Sequence, residues 1–202
     1  MNTTPKHLPA SERRAATVDA VVALAATGNP AEITTTAIAT HMGLTQAALF
    51  KHFPTKDAIL ESVMEWVASS LMSRVDKAVQ ASSSPIQALE SLFMAHVHFV
   101  VTHPGVPRIV FAELQRAKPS GTRRAVDVLL RRYSDRVSHV LNDAKTRGEI
   151  DADIDTEAAA VLFVGTIQGL VMQSLVHGDM KRITRDAPRV FVIYRRGIAS
   201  AS

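Results

Sequence analysis

Residues 34 to 56 read TTTAIATHMGLTQAALFKHFPTK, and their spacing of apolar and capping residues predicts two short helices around a tight turn. Thr34 stands where it caps the first helix, which carries Ile38 and Ala39 inward and ends at Gly43, a residue type that takes left-handed backbone angles without steric cost. Thr45 starts the second helix. Leu44 before that cap and Leu49 after it occupy the two positions of a hydrophobic staple, which fixes how the chain enters the helix. At about 100° per residue, the second helix places Ala48, Leu49, His52 and Phe53 on one side and Gln46, Ala47, Phe50 and Lys51 on the other. Only the first side suits a core. The second offers an amide that reads a base edge, a small residue that permits close approach, a flat ring and a cation, the set a recognition helix needs in a major groove.

This stretch resembles the TetR (tetracycline repressor) family of bacterial transcriptional regulators. Ile38-Ala39, Met42-Gly43-Leu44-Thr45, Leu49-Phe50, His52-Phe53-Pro54 and Lys56 match that family's helix-turn-helix and its Phe-Pro-x-Lys lead into a long fourth helix. The match runs without a gap and covers about the first 60 residues. The resemblance implies that Thr36, Gln46 and Ala47 face bases, while Thr35, Thr45, Phe50, His52 and Lys56 lie at the phosphate backbone, with Lys51 on the same exposed side. Two positions depart from the family pattern. Phe50 stands where members usually carry Tyr, which removes a hydroxyl that would bond a phosphate, and Ala37 occupies the place of the usual capping-box acid.

The composition fits an all-α protein, and the resemblance implies an N-terminal three-helix helix-turn-helix domain and a C-terminal helical bundle for ligand binding and dimerisation. The 202 residues are 47% hydrophobic, with two Tyr, one Trp and seven Phe, a balance rich in Ala, Val and Leu that favours helices over sheets. With no cysteine, a disulfide frame, a thiolate metal site and a cysteine nucleophile are all excluded. The opening MNTTPKHLPA lacks the apolar core of a signal peptide, so a soluble, cytoplasmic protein without a membrane span is expected. The net charge of +4 points mildly to a polyanion. Up to residue 60, however, five Lys or Arg face four acids, so a DNA-binding role rests on placement and not on charge.

Taken in order, residues 1 to 8 read as a flexible arm, with Lys6 and His7 available for additional phosphate contacts. A first helix is expected from Pro9 to Ala26, and a long one from Thr55 to Gln80 that belongs to both halves of the chain. We place the functional division at 1–60, the DNA-binding domain, and 61–202, the effector-binding and dimerisation domain. Helices are then expected at 85–103, 106–117, 122–147, 157–177 and 186–199. Arg123, Asp127, Arg131 and Asp135 alternate in sign at four-residue spacing, which reads as a solvated face and not as a second polyanion site. His96, His98 and His103 invite a metal, but no His-x3-His or adjacent carboxylate completes a ligand set, and no metal or cofactor is expected. The acids from Asp151 to Asp155 lack the glycine and distal Glu of a calcium loop and read as the acidic start of a helix. That helix is apolar all round, so a second protomer is expected to cover part of it.

The function expected is a homodimeric, ligand-responsive regulator, most simply a repressor, bound to a palindromic double-stranded operator. Phe93, His96, Phe111, Gln168 and Met172 are candidates for lining a pocket for a largely apolar effector. The alternatives are an enzyme with a helical-bundle pocket, or a dimerisation module without DNA binding. No nucleotide loop, Gly-x-Ser-x-Gly elbow or metal set supports catalysis.

Overall fold

A computed structural model describes residues 9–118 and 120–200, and every regular element among them is helical. The order is α1 (Ala10–Thr27), a single 3-10 turn (Pro30–Glu32), α2 (Thr35–His41), α3 (Gln46–Phe50), α4 (Lys56–Gln80), α5 (Pro85–Thr102), α6 (Gly105–Leu114), α7 (Gly121–Thr146), α8 (Thr156–His177) and α9 (Lys181–Ile198). The arm expected at residues 1–8 lies outside the described residues. The helices pack as two units, one from the described residues up to Ala68 with His103–Asp127, the other from Ser69–Thr102 with the described residues from Val128 onward. These packing units differ from a division at residue 60, because α6 joins the first unit and α4 contributes to both.

In the first unit, α1 buries Val18, Val21, Val22 and Ala25. Arg14, on the same helix, donates to Ser62 Oγ at 3.2 Å and sets its guanidinium 5.0 Å from the centre of the Phe53 ring, two contacts that tie α1 to α4 and to the segment following α3. Gly105 opens α6 hard against α1. A methyl group there would overlap the Val22 carbonyl oxygen and lie 3.1 Å from Ala25 Cβ, so this glycine is a close-approach residue as well as a helix breaker. The connection from α6 to α7 is pinned by polar contacts. Glu113 is buried, accepts from the Ser120 hydroxyl and lies 3.4 Å from Arg116, whose guanidinium also pairs at 3.0 Å with Asp57 in the first turn of α4.

The second unit is built around aromatic rings from α5, α8 and α9. Phe93 meets Phe163 and Phe191, each at 5.3 Å between centroids, and Tyr194 closes the group against Phe163 at 5.4 Å. The Tyr194 hydroxyl donates to Ala159 O at 3.0 Å, so its polar end is satisfied inside the core. On α7, Tyr133, Val137, Val140, Leu141 and Ala144 point inward. Arg123, Asp127, Arg131 and Asp135 face solvent. The acidic stretch before α8 acts as a cap, since the Asp155 carboxylate accepts from the backbone N–H groups of Glu157 and Ala158, both at 3.0 Å.

The start of α9 differs from expectation. The helix begins at Lys181 and not at Asp186, because the Asp179 carboxylate caps the Lys181 N–H at 2.9 Å, and Pro188 is carried within the helix. A proline there forfeits one backbone hydrogen bond, which the burial of Ile183, Ala187, Phe191 and Tyr194 offsets.

The α1–α6 contact generates a stability prediction. Gly105→Ala should lower the thermal midpoint, with a cost of about 1–3 kcal/mol for overpacking, because the neighbour it meets is backbone and not a movable side chain. Thermal unfolding followed by circular dichroism measures it; an unchanged midpoint would mean that α1 and α6 are not held this close.

Candidate nucleic-acid interface

The helix-turn-helix is fixed by local chemistry that the sequence carries. Thr34 Oγ1 accepts from Ala37 N–H at 3.0 Å and Thr45 Oγ1 from Ala48 N–H at 3.2 Å, so each threonine satisfies an otherwise unpaired donor at the start of its helix. Between them Gly43 has φ +66°, and Leu44 N–H returns to Ala39 O at 2.8 Å, closing the turn. The absent capping-box acid at Ala37 therefore does not remove the cap. Leu49 and Phe53 are each 1% exposed and anchor the inner side of α3.

The outer side is open. Thr36, Thr45, Gln46, Ala47, Phe50 and Lys51 are exposed, whereas Thr35, His52 and Lys56 are half-buried. Gln46 Nε2 donates to Thr35 Oγ1 at 2.7 Å, which couples the first residue of α3 to the first of α2 and orients the amide. Phe50 walls a cleft shared with Ile33, Thr34, Thr35, Thr55 and Lys56. The starts of α2 and α4 both border this cleft, and Lys56 Nζ lies 3.4 Å from Ala31 O on its rim. Hydroxyls, an ammonium group and the positive end of α4 converge there together with the Glu32 carboxylate. Thr35, Gln46, Phe50 and Lys56 thus share one surface. Lys51 follows at the C-terminal end of α3, and His52 sits in the next turn.

The residues expected to line an effector pocket fall in both packing units. Phe93 is fully buried in the aromatic core of the second unit, and His96 one turn on meets Tyr133. Phe111 belongs to the first unit, half-buried on α6. Gln168 and Met172 lie on the exposed side of α8, because its inward row is Ala159, Ala160, Phe163, Ile167, Leu170, Val171 and Ser174. A helix apolar on every side gives no periodic signal to separate those faces. Tyr133 escaped notice amid the arginines of α7. Its spacing with Val126, Leu129, Val137 and Val140 was the available clue.

Comparison with known proteins agrees with this geometry. The family described as "Bacterial regulatory proteins, tetR family" matches residues 17–63, and "Tetracyclin repressor-like, C-terminal domain" matches residues 110–188. Among curated proteins, the nucleoid occlusion factor SlmA of Marinomonas sp. is 24% identical over 161 residues, covering 80% of this chain and 82% of that protein. Among solved structures, a TetR transcription regulator from Haloarcula marismortui is similar with TM-score 0.81 at 15% identity, over 93% of this chain and 98% of that one. The transcriptional regulator FadR from Bacillus subtilis, solved in complex with stearoyl-CoA, is similar with TM-score 0.74 at 18% identity, over 88% and 97% of the two chains. The two family matches fall on the two ends of a single helical chain whose helix-turn-helix is capped, anchored and open on its outer side: the chain belongs to the tetR family of DNA-binding transcriptional regulators, and is not an enzyme.

Proposed function

We propose that this regulator works in the cytoplasm as a homodimer on a palindromic operator, most simply as a repressor, and that a small, largely apolar effector held by the second unit alters its occupancy of DNA. The observation that carries the dimer is the outer side of α8. Val161, Gly165, Gln168, Met172 and Val176 follow one another at spacings of three or four residues along a single exposed stripe, with Val161 70% and Val176 76% exposed. Ile193 on α9 is 69% exposed. Apolar surface of this kind in a regulator calls for cover, and a second copy of the same stripe supplies it by two-fold symmetry. A bilayer is the other cover for a helix of mean hydropathy 1.8, but Thr166, Gln168 and Gln173 interrupt the apolar surface. Gly165 and Gly169 support the same reading. A methyl group on either meets nothing within 4 Å, so neither makes room for a neighbour inside the protomer.

A two-fold dimer presents two copies of α3, hence an operator with inverted half-sites. In each half-site Gln46, steadied by Thr35, reads a base edge with Thr36 and Ala47 beside it. Thr45, Phe50, Lys51, His52 and Lys56 lie against the backbone. The Bacillus subtilis regulator was solved in complex with stearoyl-CoA, whose acyl chain supports an apolar portion in an effector of this chain. Coupling of about 1–3 kcal/mol between the two sites is enough to switch occupancy, and α4 and α7, which each contribute to both units, are covalent routes between them.

Two predictions follow from these assignments. Gln46→Ala should relax preference at one operator position per half-site by about 1–3 kcal/mol, and Thr35→Val should weaken the same preference to a lesser degree. Lys56→Ala should instead weaken every sequence alike and reduce the salt dependence of binding by about one ion. Competition binding with single-base operator variants separates the two outcomes; loss of preference from Lys56→Ala equal to that from Gln46→Ala would contradict the assignment.

The dimer is tested on α8. Gly165→Leu and Gly169→Leu should overpack the interface and shift the protein to monomer in sedimentation, with helicity unchanged by circular dichroism. Operator affinity should collapse with dimerisation, since a lone protomer loses the effective concentration of its second half-site. Intact dimers with normal affinity in both variants would move this face out of the interface.

A further inference from the structure

Deep in the second unit, His96 Nδ1 and Tyr133 Oη have no hydrogen-bond partner among the described residues. Their rings meet edge to face, with centroids 4.9 Å apart and planes at 74°, so the two unpaired groups belong to one locality between α5 and α7. Leaving a buried polar atom unpaired costs about 1–3 kcal/mol, and two such atoms side by side are a configuration that a packed core does not keep without a use. The surroundings are apolar. Phe93 and Val97 are buried on α5 beside His96, and Leu129 and Val137 flank Tyr133 on α7. His96 keeps part of its surface open. Arg136, one turn along α7 from Tyr133, pairs with Asp76 at 2.8 Å, and its Nε has no hydrogen-bond partner among the described residues.

We propose that His96 and Tyr133 form the polar anchor of the effector cavity, and that the effector is an uncharged, mainly apolar molecule whose hydroxyl or carbonyl oxygen pairs with them. This rests on the reading of the second unit as effector-binding and adds the chemical class. Burial lowers the His96 pKa to about 4 and raises that of Tyr133, so both groups are neutral at neutral pH and offer hydrogen bonds without charge. Tyr133 donates through its hydroxyl. His96 Nδ1 accepts or donates according to its tautomer, so an alcohol or a ketone is accommodated. A carboxylate is disfavoured by its desolvation.

Fluorescence of N-phenyl-1-naphthylamine, a neutral apolar reporter, in the full chain tests both layers. Displacement is compared for 1-decanol, 2-decanone and decanoate at neutral pH. The expected result is displacement by decanol and decanone at concentrations about tenfold or more below those needed for decanoate, the equivalent of one charge-selective contact. In Tyr133→Phe, reporter binding should be unchanged and decanol should need a concentration several-fold higher than with the wild-type protein. Equal displacement by all three compounds, or an unchanged decanol requirement in Tyr133→Phe, overturns the anchor while leaving the cavity standing. A reporter that does not bind the wild-type protein overturns the cavity and the anchor together. The comparison of head groups uses wild-type protein, so the outcome does not depend on the variant folding.

Discussion

A helix of five residues has no stability of its own in water, so the direction in which α3 presents Gln46, Ala47, Phe50 and Lys51 depends on what holds its other side. Leu49 and Phe53 do this. Each is 1% exposed, and burying side chains of that size contributes about 1.5–3 kcal/mol apiece. Arg14 from α1 lies over the Phe53 ring and reaches Ser62 on α4, so the element behind α3 is held to it by the same side chain that holds it to the long helix. The inner side of α3 belongs to a core, and its outer side is free to be polar because its residues are exposed.

The second unit poses the opposite problem. Its α8 is apolar on every side, yet only one side is taken up by α5 and α9 through Phe163, Ile167 and Leu170. The remaining stripe has glycines with open space around them and valines more than two-thirds exposed, a surface that a solitary protomer has no reason to keep. The two halves of the proposed mechanism need each other for this reason. A short recognition helix reads too few bases to locate a site by itself, and the proposed self-association through α8 would double what is read without adding a new specificity element.

How much of this was legible in the sequence varied with the kind of signal. The helix-turn-helix is written in local chemistry, with Thr34, Gly43, Leu44 and Thr45 each fixing one feature, so its caps, turn and faces were readable residue by residue. The start of α9 was not, because Pro188 ordinarily marks a boundary and burial of Ile183 and Ala187 overrides that preference. The inner face of α8 was hidden by the absence of any hydrophobic periodicity, which set Gln168 and Met172 among the pocket candidates although they face outward. Thr35 beside Gln46 and Tyr133 beside His96 are pairings between separate helices, 11 and 37 residues apart in the chain, and no local pattern encodes them. Gly105 was readable as a breaker, but its intimate contact with Val22 belongs to tertiary packing.

The central claim is that a symmetric pair of α3 helices reads DNA, and selection of bound sequences from a random double-stranded pool by the wild-type protein tests it most directly. The account predicts enrichment of an inverted repeat whose half-sites lie on one face of the duplex, about one helical turn or a multiple apart from centre to centre. Enrichment of a single unsymmetrical site, or retention of all sequences alike, would contradict it.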